Sequence, residues 1–408
     1  MRNFFSFVYS NFSKLRLGII LTFLSSFGQT YVISLYVLQI SQEFEITEGQ
    51  FGAIYSACTI ISSVIMLTIG HTVDHVRAKK IVSLVLSLLM ASALLMGFSV
   101  NLAMVVVALI GLRLCGQGML SHISFTLLSK VYTYNRGKAM SFSTFGFSLG
   151  EAIFPLIITF IISWLDWRWG MFSAAIFIGI YLIRVQFLNL NFFDEKLDNE
   201  KPSGLNIAKD FKSIITEKKF LILMPSTMIV GLAITGMVLY QYVFVEDKGW
   251  SAELYAAFFT GYAITHFLFS IFGGVWVDRF TAKKMFRFYL IPLVFGLLAF
   301  GFIESILGGA IFLFTAGVTM GTSGTIKTAL LAEVYGIQKL GRIRSLFTMF
   351  MVLSTALGPL IMGWMIDKNW SIQNIMLSLS SLLVLCILNS QRIVYVDSVR
   401  EKEAVTVD

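Results

Sequence analysis

The sequence predicts an all-α membrane protein of twelve transmembrane helices in two pseudo-symmetric six-helix bundles, and three observations carry that expectation. Hydrophobic residues make up 57% of the 408 and charged ones only 13%, at a mean hydropathy of +0.80. No soluble domain of this length buries so much apolar matter. Apolar runs of about 20 residues, the length that crosses a bilayer core, follow one another almost without pause. Finally, the chain repeats itself: Gly70, Asp74, Ala78, Lys79 and Lys80 recur as Gly274, Asp278, Ala282, Lys283 and Lys284. The same offset places Thr47 on Ser251, Phe51 on Tyr255, Ser141 on Ser345 and Pro155 on Pro359. Such duplication marks many secondary-transporter folds.

The elements follow in order. Arg2, Lys14 and Arg16 precede an apolar run from Leu17 to about Leu38. It is too long for a signal-peptide core and shows no small-residue cleavage site, so it reads as a retained first helix. Further spans are predicted at 50–71, 81–100, 102–125, 139–163 and 169–190, then at 220–244, 252–276, 286–303, 307–330, 345–366 and 371–390. The expected domains are therefore a first bundle over 1–190, a linker over 191–219, a second bundle over 220–391 and a tail over 392–408. In the linker, Asp194, Glu195, Asp198, Glu200, Asp210 and Glu217 offset an equal number of lysines, with a surface helix expected near Ala208–Thr216.

Basic residues set orientation, because loops rich in Lys and Arg stay cytoplasmic. With the N-terminus inside, all 31 basic residues except Arg168, Lys248 and Lys368 in outer loops and Arg113 and Lys327 within spans lie at the cytoplasmic side. Both termini and the linker are then cytoplasmic. The net charge of +8 is a topology signal rather than a nucleic-acid footprint. Cys58, Cys115 and Cys386 lie inside apolar spans without metal-ligand spacing, and four scattered histidines make no metal site. With no nucleophile–base pattern, phosphate loop or dinucleotide fingerprint in view, the expectation is no enzyme, no cofactor and no nucleic-acid partner.

Charged groups at membrane depth are costly and mark function by default. Arg113 lies about 16 Å into the fourth span and Glu151 about 18 Å into the fifth from the opposite side, at 1.5 Å per residue. At that common depth they read either as a static ion pair or as a substrate-receiving arginine and a proton-exchanging glutamate. Arg113, Gln117, Ser121 and Ser124 share one face of the fourth helix, suited to a cavity or a partner helix, with His122 on the other side. Thr315, Thr319, Thr322, Ser323 and Lys327 form a stripe on the tenth span, where Lys327 can also snorkel. Gln29, and Tyr262, His266 and Ser270 on the eighth span, complete the polar set. Gly146 and Gly150 permit close helix approach.

The eleven-residue repeat resembles the loop after the second helix in the major facilitator superfamily, Gly-x-x-x-Asp-Arg-x-Gly-Arg-Arg/Lys. Gly70 and Asp74 match; His75 replaces the arginine and Arg77 the second glycine, whereas the later copy keeps Asp278-Arg279. The resemblance implies a conformational gate of Gly70, Asp74, Lys79, Lys80, Gly274, Asp278, Arg279 and Lys283, in which the aspartate engages a neighbouring helix N-terminus and basic side chains. Arg113-Leu-Cys-Gly-Gln-Gly118 loosely resembles the family's fourth-helix arginine motif. Gly146-x-x-x-Gly150 with Pro155 partly resembles its fifth-helix antiporter motif, with Glu151 where a proline is usual. Tyr335–Ser345 and Ala356-Leu-Gly-Pro359 are similar to bacterial relatives of the monocarboxylate and oxalate–formate carriers. Those carriers place Asp and Arg where His266 and Ser270 stand here, and a lysine in the eleventh helix that this chain lacks.

The resemblance implies a monomeric secondary transporter in a bacterial inner membrane, working by alternating access on a substrate between the bundles. Arg113, Gln117, Gln29, Lys327 and His266 are its expected substrate-binding residues. A small organic anion such as a monocarboxylate, moved with protons, suits cations at Arg113 and Lys327 and a single mid-membrane acid, Glu151. The alternatives are a proton-driven exporter of hydrophobic or cationic compounds, served by 38 phenylalanines and 18 methionines, and a sensor of the same fold that moves nothing.

Overall fold

The computed structural model describes the backbone of residues 2–132, 134–196, 214–336 and 340–396, with side chains except those of 2–5, 136–137, 195–196, 340–342 and 345. All described regular structure is helical. Among the described residues eleven helices are long and apolar enough to cross a membrane, and a pair bent by 42°, taken as one span, makes a twelfth. We number them α1 (Ser6–Gly28 with Thr30–Glu43), α2 (Glu48–His75), α3 (Ala78–Gly97), α4 (Leu102–Val131), α5 (Lys138–Trp164), α6 (Trp167–Gln186), α7 (Lys218–Asp247), α8 (Ala252–Phe280), α9 (Ala282–Phe302), α10 (Leu307–Tyr335), α11 (Leu346–Asp367) and α12 (Ile372–Tyr395). The expected surface helix lies, but for its last turn, outside the described residues, as do most of the linker, the end of the tail and the centre of the Tyr335–Ser345 motif. The chain forms two compact units, Met1–Lys201 with Gln241–Val243, and the remainder from Pro202 on.

The repeat is physical as well as textual. Thr47 accepts from the Gln50 amide at 3.1 Å while Gln50 Oε1 accepts from the Thr47 amide at 3.0 Å, a capping box that starts α2. Its counterpart Ser251 caps α8 by accepting from the Leu254 amide at 3.2 Å. The matched pairs Phe51 with Tyr255 and Tyr55 with Phe259 are all fully buried. Equivalent faces of α2 and α8 thus point into their own units. Outward faces carry the opposite chemistry: Leu67, Ile176 and Ile183 in the first unit and Phe295 and Leu385 in the second are each at least 60% exposed, as lipid-facing side chains are.

Small residues bring helices together inside each unit. Gly150 lies against α1, where a Cβ would come 3.0 Å from the Tyr31 hydroxyl, and Gly358 lies against α7, where a Cβ would come 3.1 Å from the Gly236 amide. Between α1, α4 and α5 a buried hydroxyl cluster replaces lipid-incompatible loose ends. Thr22 Oγ1 donates to the Ser143 carbonyl at 2.6 Å, Ser124 Oγ donates to the Gly18 carbonyl at 3.0 Å, and the Ser124 and Ser143 hydroxyls lie 2.6 Å apart.

At one end of the first unit, Arg168 at the start of α6 holds Glu43 at the end of α1 through both Nη groups, one of them with Nη1 at 2.7 Å from Oε2. Trp167 Nε1 donates to the same oxygen at 2.8 Å. In the second unit Lys248 donates to the Ile303 carbonyl at 3.2 Å just past the end of α9. Burial holds its ammonium below the usual lysine range, opposed by Glu304.

Candidate functional site

Two of the long spans of the first unit depart from regular α-helix, and they do so against each other. α1 is helical to Leu24, tightens into a 3-10 turn over Ser25–Gly28, and breaks at Gln29, which is extended at φ −82° and ψ 153°. The amides of Val32 and Ile33 both turn to the Gln29 carbonyl, at 3.1 Å each, so the regular helical partner of the Gly28 carbonyl is lost. α4 is regular over Leu102–Gly111, becomes a π-helix over Leu112–Leu120 and resumes as α-helix at Ser121. π segments are rare and concentrate at functional sites.

The two irregular segments touch backbone to backbone. A Cβ added to Gly116 would lie 2.7 Å from both N and Cα of Gly28, and one added to Gly28 would lie 2.7 Å from the Gln117 amide nitrogen and 2.8 Å from the Gly116 Cα. Only glycine permits that approach at either position. The contact brings the backbone at Gln29 and Gln117 close together, and Arg113 reaches the same stretch.

Arg113 is 2% exposed. Its Nη1 donates to the Gly28 carbonyl at 3.2 Å and lies 3.5 Å from Thr30 Oγ1. The guanidinium carbon stands 4.8 Å from the centre of the Tyr55 ring, and the Tyr55 and Thr30 hydroxyls are 2.8 Å apart. A carbonyl and a ring face compensate a cation only in part, and Nε is buried with no acceptor. Among the described residues no carboxylate reaches ion-pair distance of Arg113.

Of the two readings of Arg113 and Glu151, the static ion pair is not among the contacts of the described residues. Equal depth on neighbouring helices does not fix facing: the guanidinium turns toward Gly28, Thr30 and Tyr55, whereas Glu151, itself 8% exposed, follows Gly150, which packs against Ser26 and Tyr31. Arg113 thus engages the broken stretch of α1 at Gly28 and Thr30, and Gly150, the residue before Glu151, packs against the same stretch. Along α4 the polar face changes character: Ser121 Oγ returns to the Gln117 carbonyl at 3.0 Å and Ser124 is absorbed in the hydroxyl cluster, so only Arg113 and Gln117 of that stripe belong with the break.

The remaining substrate candidates lie in the second unit. His266 lies against Tyr262 with ring centroids 5.6 Å apart and planes tilted by 47°, and it meets α10 where Gly317 and Gly321 let the backbones close, its amide 3.2 Å from a Cβ placed on Gly317. Lys327 is partly buried, and among the described residues its ammonium makes no hydrogen bond or ion pair. Among the described residues the second unit has no π segment, and its counterparts of α1 and α4 are unbroken. α7 and α10 run as continuous α-helices, and the positions matching Gly28, Arg113 and Gly116 hold Leu232, Gly317 and Met320. A leucine in place of Gly28 alone forbids the backbone contact.

The loop residues occupy one end of each unit. Asp74 pairs with Lys130 at 2.8 Å, and His122 Nε2 lies 3.0 Å from the Gly70 carbonyl. The helix start occupied by a carboxylate is that of α3, and the carboxylate belongs to Asp194: its Oδ1 accepts from the Ala78 amide at 2.7 Å. Lys79 donates to the Gln186 carbonyl at the end of α6, 2.6 Å, and Lys283 to the Val396 carbonyl, 2.7 Å. Lys80, Asp278 and Arg279 are exposed and Gly274 is open on its Cα side.

The sequence pattern of the Major Facilitator Superfamily matches residues 18–259 and 233–406. The chain belongs to the major facilitator superfamily. It is accordingly a multi-pass membrane transporter and not an enzyme. No curated protein sequence matches it, but solved structures share its fold. A bacterial homologue of the human lysosomal transporter Spinster, inward-facing and unoccupied, superposes with a TM-score of 0.73 at 15% identity, covering 97% of this chain and 99% of that one. The nucleoside transporter NupG does so at 0.73 and 12%, covering 93% and 99%. A bacterial homologue of the human drug peptide transporters PepT1 and PepT2 gives 0.72 and 13%, covering 94% and 98%.

Sequence reasoning did not single out Gly28, Thr30, Tyr55 and Gly116, nor Lys130 and Asp194. One signal was available: Gly28 and Gly116 each precede a glutamine inside an apolar span, a pairing of a flexible residue with a polar one that packing alone does not require.

Proposed function

We propose that this transporter is a secondary carrier of a small organic anion such as a monocarboxylate, moved by alternating access with protons, in a bacterial inner membrane with both termini cytoplasmic. The observation that carries the reading is Arg113. A buried guanidinium costs several kcal/mol unless it is paired, and here a carbonyl and a tyrosine ring are its partners while the Nε donor is open. A carboxylate meets an arginine through two parallel hydrogen bonds and supplies the missing charge. Glu151, also buried, is the group proposed to exchange the proton. The basic loops support the orientation.

The test is counterflow in proteoliposomes with a panel of monocarboxylates, neutral solutes and organic cations. Counterflow of at least one carboxylate, with proton-driven accumulation lost in Glu151→Gln while counterflow survives, is the expected result. Binding without flux would indicate a sensor, and flux of cations alone would indicate an exporter of hydrophobic cations; either ends the anion reading.

A further inference from the structure

A second arginine pair lies apart from the site at the α1 break. Arg16 in α1 and Arg184 in the last turn of α6 line one pocket, together with Ser13, Tyr181 and Asn189. Tyr181, which lines the same pocket, is 7% exposed. Among the described residues neither arginine has an acidic partner. A cation in the last turn of a helix is favoured by the helix dipole, which accounts for Arg184. It does not account for Arg16, which sits inside a helix running Arg2–Leu24. Two like charges gathered in a pocket that also offers hydroxyl and amide donors are best relieved by an anion with several acceptor oxygens.

The surroundings say where that anion comes from. The pocket walls are completed by apolar residues such as Leu17 and Ile20, and beside it on α6 Ile183 and Phe187 are 64% and 85% exposed, as acyl chains would require. The pocket opens at the end of the unit that carries the basic loops, the cytoplasmic side in the orientation proposed above, where anionic lipids gather and where basic pockets between helices take their headgroups. We propose that Arg16 and Arg184 bind the phosphate of an anionic phospholipid of the cytoplasmic leaflet, with Ser13, Tyr181 and Asn189 as further partners of the headgroup. The site is independent of the substrate site at Arg113.

Native mass spectrometry of the full chain with added phosphatidylglycerol or phosphatidylcholine tests this. The parent should retain phosphatidylglycerol at least about tenfold more tightly than Arg16→Ala/Arg184→Ala, a loss of about 1.4 kcal/mol, and phosphatidylcholine should be weak on both. Arg16→Lys/Arg184→Lys, which keeps the charge but not the fork, should fall between the two and keeps the test open should the alanine variant fail to fold. Arg392→Ala/Lys218→Ala, an equal loss of charge elsewhere, should bind as the parent does. Equal retention by all variants, equal retention of phosphatidylcholine, or displacement of the lipid by inorganic phosphate would each overturn the proposal; the last would make the ligand a soluble anion.

Discussion

Arg113 donates to the Gly28 carbonyl at 3.2 Å, a carbonyl released from its own helix by the break at Gln29. The two irregularities support each other. The break frees an acceptor for the buried guanidinium, and the π turn of α4 carries that guanidinium past Gly116, where the backbones meet. Loss of either should disturb both.

The first prediction follows from that contact. Gly28→Ala and Gly116→Ala each drive a methyl into backbone rather than into a movable side chain, so each should destabilise by about 1–3 kcal/mol and abolish transport. Gly261→Ala and Gly324→Ala have nothing within 4 Å of the new methyl and should melt with the parent. Thermal unfolding of the purified variants checks it; four equal melting temperatures would show that the contact is not made.

Asp74 and Lys130 are partly exposed, at 39% and 18% of their side chains, so their coupling should be modest. A double-mutant cycle with Asp74→Asn and Lys130→Gln should give about 0.2–1 kcal/mol. Asp278, exposed and bonded to no described residue, should tolerate Asn within about 0.5 kcal/mol of stability. As a proposed gate residue it should nonetheless slow turnover with affinity kept within a few-fold, so measuring rate and binding together separates the two effects.

Asp194 caps α3 from a distance. Asp194→Ala leaves the Ala78 amide without its acceptor and should cost about 1 kcal/mol, as loss of a helix cap does. Asp194→Asn keeps the acceptor and should cost less. Faster amide exchange at residues 78–81 in the alanine variant alone is the expected signature.

Much of this was legible in the sequence because bilayer physics leaves few choices. Runs of about 20 apolar residues must be spanning helices, and Thr47 with Ser251 announces the same helix start twice. Arg113 and Glu151 were legible as buried charges for the same reason. What hydropathy does not encode is which way a buried side chain turns. The break at Gln29 and the π turn at Leu112–Leu120 meet at a contact between Gly28 and Gly116, 88 positions apart, and each span read alone is an ordinary helix. The static-pair reading of Arg113 and Glu151, one of two the sequence left open, turned on that point. Asp194 was hidden differently: one of six acids in a polar linker, it is singled out only by its distance to the Ala78 amide.

The central claim, that the unpaired Arg113 receives an organic anion, is tested most directly by equilibrium binding of a carboxylate panel to the parent and to Arg113→Lys. Lysine keeps the charge but cannot form the paired hydrogen bonds of a guanidinium. Affinity for the best carboxylate should fall about tenfold or more, the equivalent of about 1.4 kcal/mol, while the melting temperature of the unliganded protein stays near the parent's. Unchanged carboxylate affinity in Arg113→Lys, or no carboxylate binding to the parent at all, would contradict it.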